Sequence, residues 1–61
     1  MQILIKKIHN PQPEVLHHCY LICEDPVDYI MEFFVKNPID NNRMVTRIPY
    51  EELEYFKKVG D

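Results

Sequence analysis

The four residues Asp25-Pro26-Val27-Asp28 are the strongest local constraint on what this chain can fold into. Aspartate is a preferred N-cap, proline suits the first helical position, and an acidic residue at Asp28 fits a capping box. Apolar residues then recur at helical spacing, at Val27, Ile30, Met31, Phe34 and Val35. The pattern predicts an amphipathic helix that ends at Asn37-Pro38, because the residue before a proline disfavours the helical conformation.

A second helix is predicted from Pro49 to Val59. Two glutamates stand in its first turn and two lysines in its last turn, as the helix dipole favours. Gly60 follows directly and is a common residue just after a helix end. Leu53, Phe56 and Val59 would form its narrow buried stripe.

Three strands complete the predicted fold, at residues 2–8, 14–23 and 43–48. The segment 14–23 is the longest apolar stretch, and its β-branched and aromatic members favour a central strand, although a helix that starts at Pro13 remains an alternative. The segment 43–48 alternates as an edge strand does, with Arg43, Val45 and Arg47 on one face. The expectation is therefore an α+β fold in one domain, 1–61, with the order β-β-α-β-α. Its three-stranded, mostly antiparallel sheet would carry both helices on one face.

Composition and charge exclude several classes of protein. An apolar share of 46% is too high for a disordered chain, and no apolar run reaches the roughly 18 residues of a membrane span. The first residues lack the pattern of a secretory signal, which predicts a cytoplasmic protein. The net charge of −3 comes without a basic stripe, so a nucleic-acid-associated role ranks third among the functions considered.

The segment from His17 to Cys23 is the one metal-like cluster in the sequence. On a strand, His17, Cys19 and Cys23 would share a face, but these three side chains do not complete a four-coordinate zinc site. They are weak candidate ligands, and we expect no cofactor. A small-ligand or zinc-binding module built on this segment is the alternative function. Both thiols are expected to be reduced and poorly reactive, as small core residues.

Catalysis is not expected. The chain contains no serine, and its single glycine is Gly60, so a serine nucleophile and a glycine-rich phosphate loop are both absent. His18 and Cys19 are adjacent, and adjacent side chains on a strand point to opposite faces. A cysteine–histidine pair is therefore not formed by these neighbours.

The remaining features favour binding to a protein. Tyr29 and Phe33 lie one helical turn apart, beyond the buried stripe of the first predicted helix, where aromatic residues either cover the edge of a small core or form a recognition surface. The full set of predicted partner-binding residues is Asp28, Tyr29, Glu32, Phe33, Arg43, Arg47, Tyr50 and Tyr55. The expected function is a small regulator, an inhibitor or adaptor that occupies a partner surface. In size and composition the chain resembles accessory proteins of phages, plasmids and bacteria. So small a core also favours a homodimer.

Overall fold

The computed structural model describes residues 1–60, which form two three-stranded antiparallel sheets. The strands are β1 (Gln2–Lys7), β2 (Glu14–Leu16), β3 (Cys19–Asp25), β4 (Ile30–Lys36), β5 (Arg43–Pro49) and β6 (Leu53–Gly60). The first sheet has the order β2-β1-β6 and the second sheet the order β3-β4-β5. Asp61, the last residue of the predicted domain, lies outside the described residues.

The two sheets pack face to face around one apolar core. Both contribute to it: Ile3 and Ile5 come from the first sheet, and Cys19, Met31, Phe33 and Ile48 come from the second. The thinnest Cα dimension of the molecule is 15 Å, as expected for two layers whose backbones lie about 10 Å apart. Phe33 is 0% exposed, and its ring meets the ring of Phe56 edge-on, with centroids 5.2 Å apart.

Backbone hydrogen bonds also join the two sheets at one corner. Met1 and Cys19 exchange both backbone bonds, at 2.9 and 3.0 Å, which connects the start of β1 to the start of β3. These contacts fix how the second sheet lies on the first.

The first predicted helix is wrong, because its residues form β4, the central strand of the second sheet. The side chain of Asp25 does accept bonds from the Val27 and Asp28 N–H groups, at 3.1 and 3.2 Å. An aspartate at a helix N-cap accepts similar bonds, but here the two bonds to Asp25 close a turn that reverses the chain between β3 and β4. Met31, Phe33 and Val35 also recur at strand spacing, and β-branched and aromatic residues favour a strand that is covered on one face.

The same turn occurs at both ends of β4. Its two copies are Asp25-Pro26-Val27-Asp28-Tyr29 and Asn37-Pro38-Ile39-Asp40-Asn41. In the second copy the Asn37 side chain accepts the Ile39 N–H at 2.9 Å, as Asp25 does for Val27. Each copy ends in a residue with positive φ, 56° at Tyr29 and 61° at Asn41. We call these the Asx-Pro turns. The first was predicted to be the start of a helix and the second its end, whereas both are hairpin turns.

The second predicted helix is also wrong. Only Tyr50–Glu52 is helical, as a single 3-10 turn, and Leu53–Gly60 forms strand β6, which pairs with β1. Gly60 lies opposite Gln2 in this ladder. In this strand Phe56 lies opposite the buried Ile5, and its ring contacts Phe33. The α+β prediction is therefore corrected to a nearly all-β fold with six strands.

The predicted strands 2–8 and 43–48 are confirmed as β1 and β5. β5 is an edge strand, and Arg43, Val45 and Arg47 share its outer face as expected. The predicted strand 14–23 is divided into β2 and β3 by a kink at His18, whose φ is 62°. Across residues 1–60, no helix has the length and apolar character needed to cross a membrane.

The first Asx-Pro turn predicts a specific stability effect at Asp25. We expect Asp25→Ala to lower the free energy of unfolding by about 1 kcal/mol, because two backbone N–H groups lose their acceptor. Asp25→Asn keeps the side-chain oxygen and is the matched control. Urea unfolding of both variants measures the difference, and an unchanged midpoint for Asp25→Ala would contradict the role of this side chain.

Candidate protein-binding surface

The predicted partner-binding residues fall in three separate places. Phe33 is in the core and is inaccessible to a partner, so the predicted Tyr29/Phe33 ridge does not exist. Glu32, Arg43 and Arg47 lie on the outer face of the second sheet, turned away from the core. The other predicted residues lie together at the end of the molecule where the first Asx-Pro turn meets the 3-10 turn: Asp28, Tyr29, Tyr50 and Tyr55.

Strand pairing brings these tyrosines together. Ile30 lies opposite Pro49 in the β4–β5 ladder, so the residues just beyond this pair, Tyr29 and Tyr50, are neighbours. The Tyr50 N–H donates to the Tyr29 carbonyl at 2.8 Å, and the two rings meet edge-on with centroids 6.3 Å apart. Tyr29 is 66% exposed, so most of its ring is available for contact.

Two open clefts adjoin at Tyr50. One, of about 370 Å³, is lined by Asp28, Tyr29, Pro49, Tyr50 and Glu51. The other has the same volume, about 370 Å³, and opens between the two sheets. Its wall includes the apolar residues Met31, Leu53 and Phe56, together with Glu24, Tyr50, Glu54 and Tyr55. An apolar floor with a polar, aromatic rim is the usual composition of a recognition site.

Several carboxylates near these clefts have no ion-pair partner. Within residues 1–60 the ion pairs are Lys6–Glu54, Lys7–Glu14 and Arg47–Glu32. Four further carboxylates beside the tyrosines belong to none of them: Glu24, Asp25, Asp28 and Glu51. We call these four carboxylates, together with Tyr29, Tyr50 and Tyr55, the acidic tyrosine end. Its uncompensated charge of −4 exceeds the net charge of −3 of the whole chain.

The field at this end acts on Tyr50. Burial, then the carboxylates of Glu24 and Asp25, raises the pKa of the Tyr50 hydroxyl above its ordinary value of 10.0. Both effects oppose the phenolate, the first by desolvation and the second by repulsion. The hydroxyl therefore stays protonated to a higher pH than that of an ordinary tyrosine.

The outer face of the second sheet has a different character. The Arg47 Nε donates to Glu32 Oε2 at 2.9 Å. The guanidinium carbon of Arg43 lies 5.9 Å from the centre of the Tyr20 ring, in cation–π geometry, and Tyr20 also contacts Phe34, with ring centroids 6.3 Å apart. Both predicted arginines thus lie over this face.

The candidate metal ligands do not share a face as predicted. A β-bulge between Cys19 and Leu21 shifts the alternation of β3. Cys19 therefore points into the core and is 1% exposed, whereas Cys23 lies opposite Glu32 on the outer face. His17 is exposed at the kink before β3. Among the described residues, no three His, Cys, Asp or Glu side chains form a metal-binding group.

Sequence reasoning missed three members of the acidic tyrosine end: Glu24, Asp25 and Glu51. Asp25 was assigned to a helix cap, and Glu51 to the first turn of a helix. The signal that could have found them is the repeated Asx-Pro turn. It places one hairpin turn before β4 and another after it, and the pairing of β4 with β5 then brings Tyr29 near Tyr50.

Comparison with protein-family models, curated proteins and solved structures finds no match to this chain. The functional conclusion therefore depends on the geometry of these surfaces.

The two cysteines are expected to react with thiol reagents at different rates. Cys23 lies partly exposed on the outer face and should be labelled rapidly, whereas Cys19 should be labelled only when the core opens. Labelling of the native protein, followed by mass spectrometry, measures both rates. The fast phase should disappear in Cys23→Ala and persist in Cys19→Ala; equal rates for the two thiols would contradict the bulge assignment.

The raised pKa of Tyr50 predicts a loss of stability at high pH. Its contribution is fully present below pH 10.0, the unfolded value, and is lost as the pH rises through the higher folded pKa. The parent protein should therefore lose stability relative to Tyr50→Phe as the pH rises above 10.0. Urea unfolding at several pH values measures this difference. A difference that does not change with pH would contradict the shift.

Proposed function

We propose that this protein acts by binding another protein and occupying its surface, and that it does not catalyse a reaction. The acidic tyrosine end is the proposed contact, and the partner segment is basic. The observation that carries the proposal is the convergence of three tyrosines and three carboxylates without an ion pair around two adjoining clefts. Tyrosine is favoured at the energetic centre of interfaces.

Charge supports a basic partner. Carboxylates without an ion pair attract lysine and arginine over a distance near the Debye length, about 8–10 Å at physiological salt, and so speed association. Aromatic faces add a short-range attraction for the same cations. A lysine or arginine that enters the cleft beside Tyr29 would meet both kinds of group, since Asp28 and Glu51 line that cleft as well.

The conformation of Tyr29 also supports a functional role. A left-handed conformation costs a residue with a side chain about 1–2 kcal/mol, and asparagine tolerates it better than most residues. The second Asx-Pro turn has Asn41 at the equivalent position. Tyrosine at the first turn therefore carries a strain that its counterpart avoids, and strain of this kind is concentrated at functional sites.

The proposal includes a cytoplasmic location and, separately, self-association. The two cysteines are unpaired thiols, which is usual in reducing compartments. A homodimer would bury more apolar surface than one small chain does. Light scattering at several concentrations measures the mass, and the mass of one chain throughout would exclude the dimer without affecting the proposed contact.

Binding of basic peptides tests the proposed function. A random synthetic peptide library on beads is sorted with the fluorescently labelled protein. We expect the selected sequences to be enriched in lysine and arginine, and their affinity to fall as salt is added. Tyr29→Asn should weaken binding about 30-fold, which corresponds to the roughly 2 kcal/mol of a hot-spot aromatic. The same substitution should leave the fold intact, because asparagine suits the left-handed backbone.

Matched controls come from elsewhere in the chain. Asp28 and Asp40 occupy the same position in the two Asx-Pro turns, so Asp28→Asn should weaken binding while Asp40→Asn should not. Tyr20→Ala removes an exposed tyrosine from the outer face and should also leave affinity unchanged. Selected sequences without basic residues, or equal losses at Asp28 and Asp40, would overturn the proposal.

A further inference from the structure

The free edge of β5 has a defined set of unpaired backbone groups. Two bonds fix the pattern of the β4–β5 ladder: Tyr50 N–H to the Tyr29 carbonyl and Asn37 N–H to the Asn42 carbonyl, both at 2.8 Å. The register between them is regular, and hydrogen-bonded pairs alternate along an antiparallel ladder. Met44, Thr46 and Ile48 therefore bond to β4. The N–H and C=O groups of the intervening residues point away from the sheet: Arg43, Val45 and Arg47.

The charged side chains that commonly guard such an edge do not cover this one. Arg47 reaches back across the sheet to Glu32 on β4, with 2.9 Å between Nε and Oε2. Arg43 reaches further, to the ring of Tyr20 on the far side of β4. Both cations lie on the outer face, so the backbone groups beside them remain accessible along the edge.

Apolar side chains are exposed on both faces of the same strand. Val45 lies on the outer face and is 42% exposed. Met44 points to the opposite face, toward the side of the core, yet it is 71% exposed. A cleft of about 360 Å³ lies beside Met44, lined also by His18, Val35 and Ile39. A strand added to β5 would cover both side chains.

We propose that β5 binds an extended acidic segment of a partner protein by strand addition. The segment pairs with Arg43, Val45 and Arg47 through the backbone. Acidic residues lie opposite the two arginines, and an apolar residue lies opposite Val45, because directly opposed side chains share a face. The residues of the bound segment that point to the opposite face cover Met44. This surface is separate from the acidic tyrosine end and takes a partner of opposite charge.

Charge disfavours a second copy of β5 as the occupant. A symmetric antiparallel pair that joins the three outward residues of both copies is centred on Val45, which places each Arg43 opposite the Arg47 of the other copy. Like charges directly opposite each other destabilise a sheet. An acidic strand converts both of these contacts into attractions. Pairing of two copies is therefore an outcome that the test must distinguish.

Amide hydrogen exchange measured by NMR tests the proposal. The probe is a synthetic peptide of about ten residues, long enough for one strand, with glutamates at the spacing of Arg43 and Arg47 and valines between them. In the free protein, the amides of Met44, Thr46 and Ile48 should exchange slowly, and those of Arg43, Val45 and Arg47 rapidly. The peptide should slow exchange at the latter three residues at least tenfold, which is 1.4 kcal/mol of protection.

Two variants at Val45 separate backbone pairing from side-chain contact. Val45→Pro removes one outward N–H, which the native sheet does not use, and proline is tolerated at such an edge position. It should lower the affinity for the peptide at least tenfold while the protein remains folded. Val45→Thr keeps the N–H and should bind nearly normally. Arg43→Glu should weaken binding of the glutamate peptide and strengthen that of a lysine peptide of the same length.

Several results would overturn the proposal. One is no new protection at Arg43, Val45 and Arg47; another is equal protection by the glutamate and lysine peptides. Protection that rises with protein concentration in the absence of peptide would identify a second copy as the occupant instead. Normal peptide binding by Val45→Pro would show that the backbone edge is not used. Failure here leaves the proposed function intact, since binding of basic peptides depends on Tyr29 and Asp28.

Discussion

Burial of Phe33 between the two sheets is the contact on which the rest of the structure depends. Its ring joins β4, the central strand of the second sheet, to Phe56 on β6 of the first sheet. Only six apolar side chains are buried among the described residues, so each has a large share in stability. Removing a buried phenylalanine ring costs about 3–5 kcal/mol, against the roughly 5–15 kcal/mol of a typical fold.

The fold could be predicted from the sequence only where one periodicity is present. β5 alternates between two faces and is bounded by a turn and a proline, and it was predicted correctly. β4 contains apolar residues at both helical and strand spacing, and Asp25 satisfies the same N–H groups in a turn as in a cap. Local chemistry therefore does not distinguish a helix from a strand at residues 30–36. The packing of Phe33 against Phe56 favours the strand. The repetition of the Asx-Pro turn, twelve residues apart (37 minus 25), is the one local sign of hairpins at both ends.

The candidate site was predictable in its residue types but not in its grouping. Exposed tyrosines and Asp28 suggested recognition from sequence alone. Their assembly depends on the pairing of Ile30 with Pro49, nineteen residues apart (49 minus 30), which no local pattern encodes. Phe33 was misassigned because a helix would turn it away from the core, whereas a strand turns it inward. Cys23 was misassigned for a related reason, since a single bulged residue moves every later side chain of a strand to the other face.

The two proposed surfaces are arranged along one ladder, and their separation has a functional consequence. The β4–β5 pairs run from Ile30–Pro49, beside the acidic tyrosine end, to Lys36–Arg43, where both residues are basic. Six residues of strand span about 20 Å, roughly two Debye lengths at physiological salt. Arg43 is therefore screened from the acidic tyrosine end, whereas Arg47, two residues or about 7 Å from Pro49, lies within one Debye length of it. An inhibitor needs one such surface, whereas two surfaces of opposite charge are what an adaptor needs in order to hold two different proteins at once.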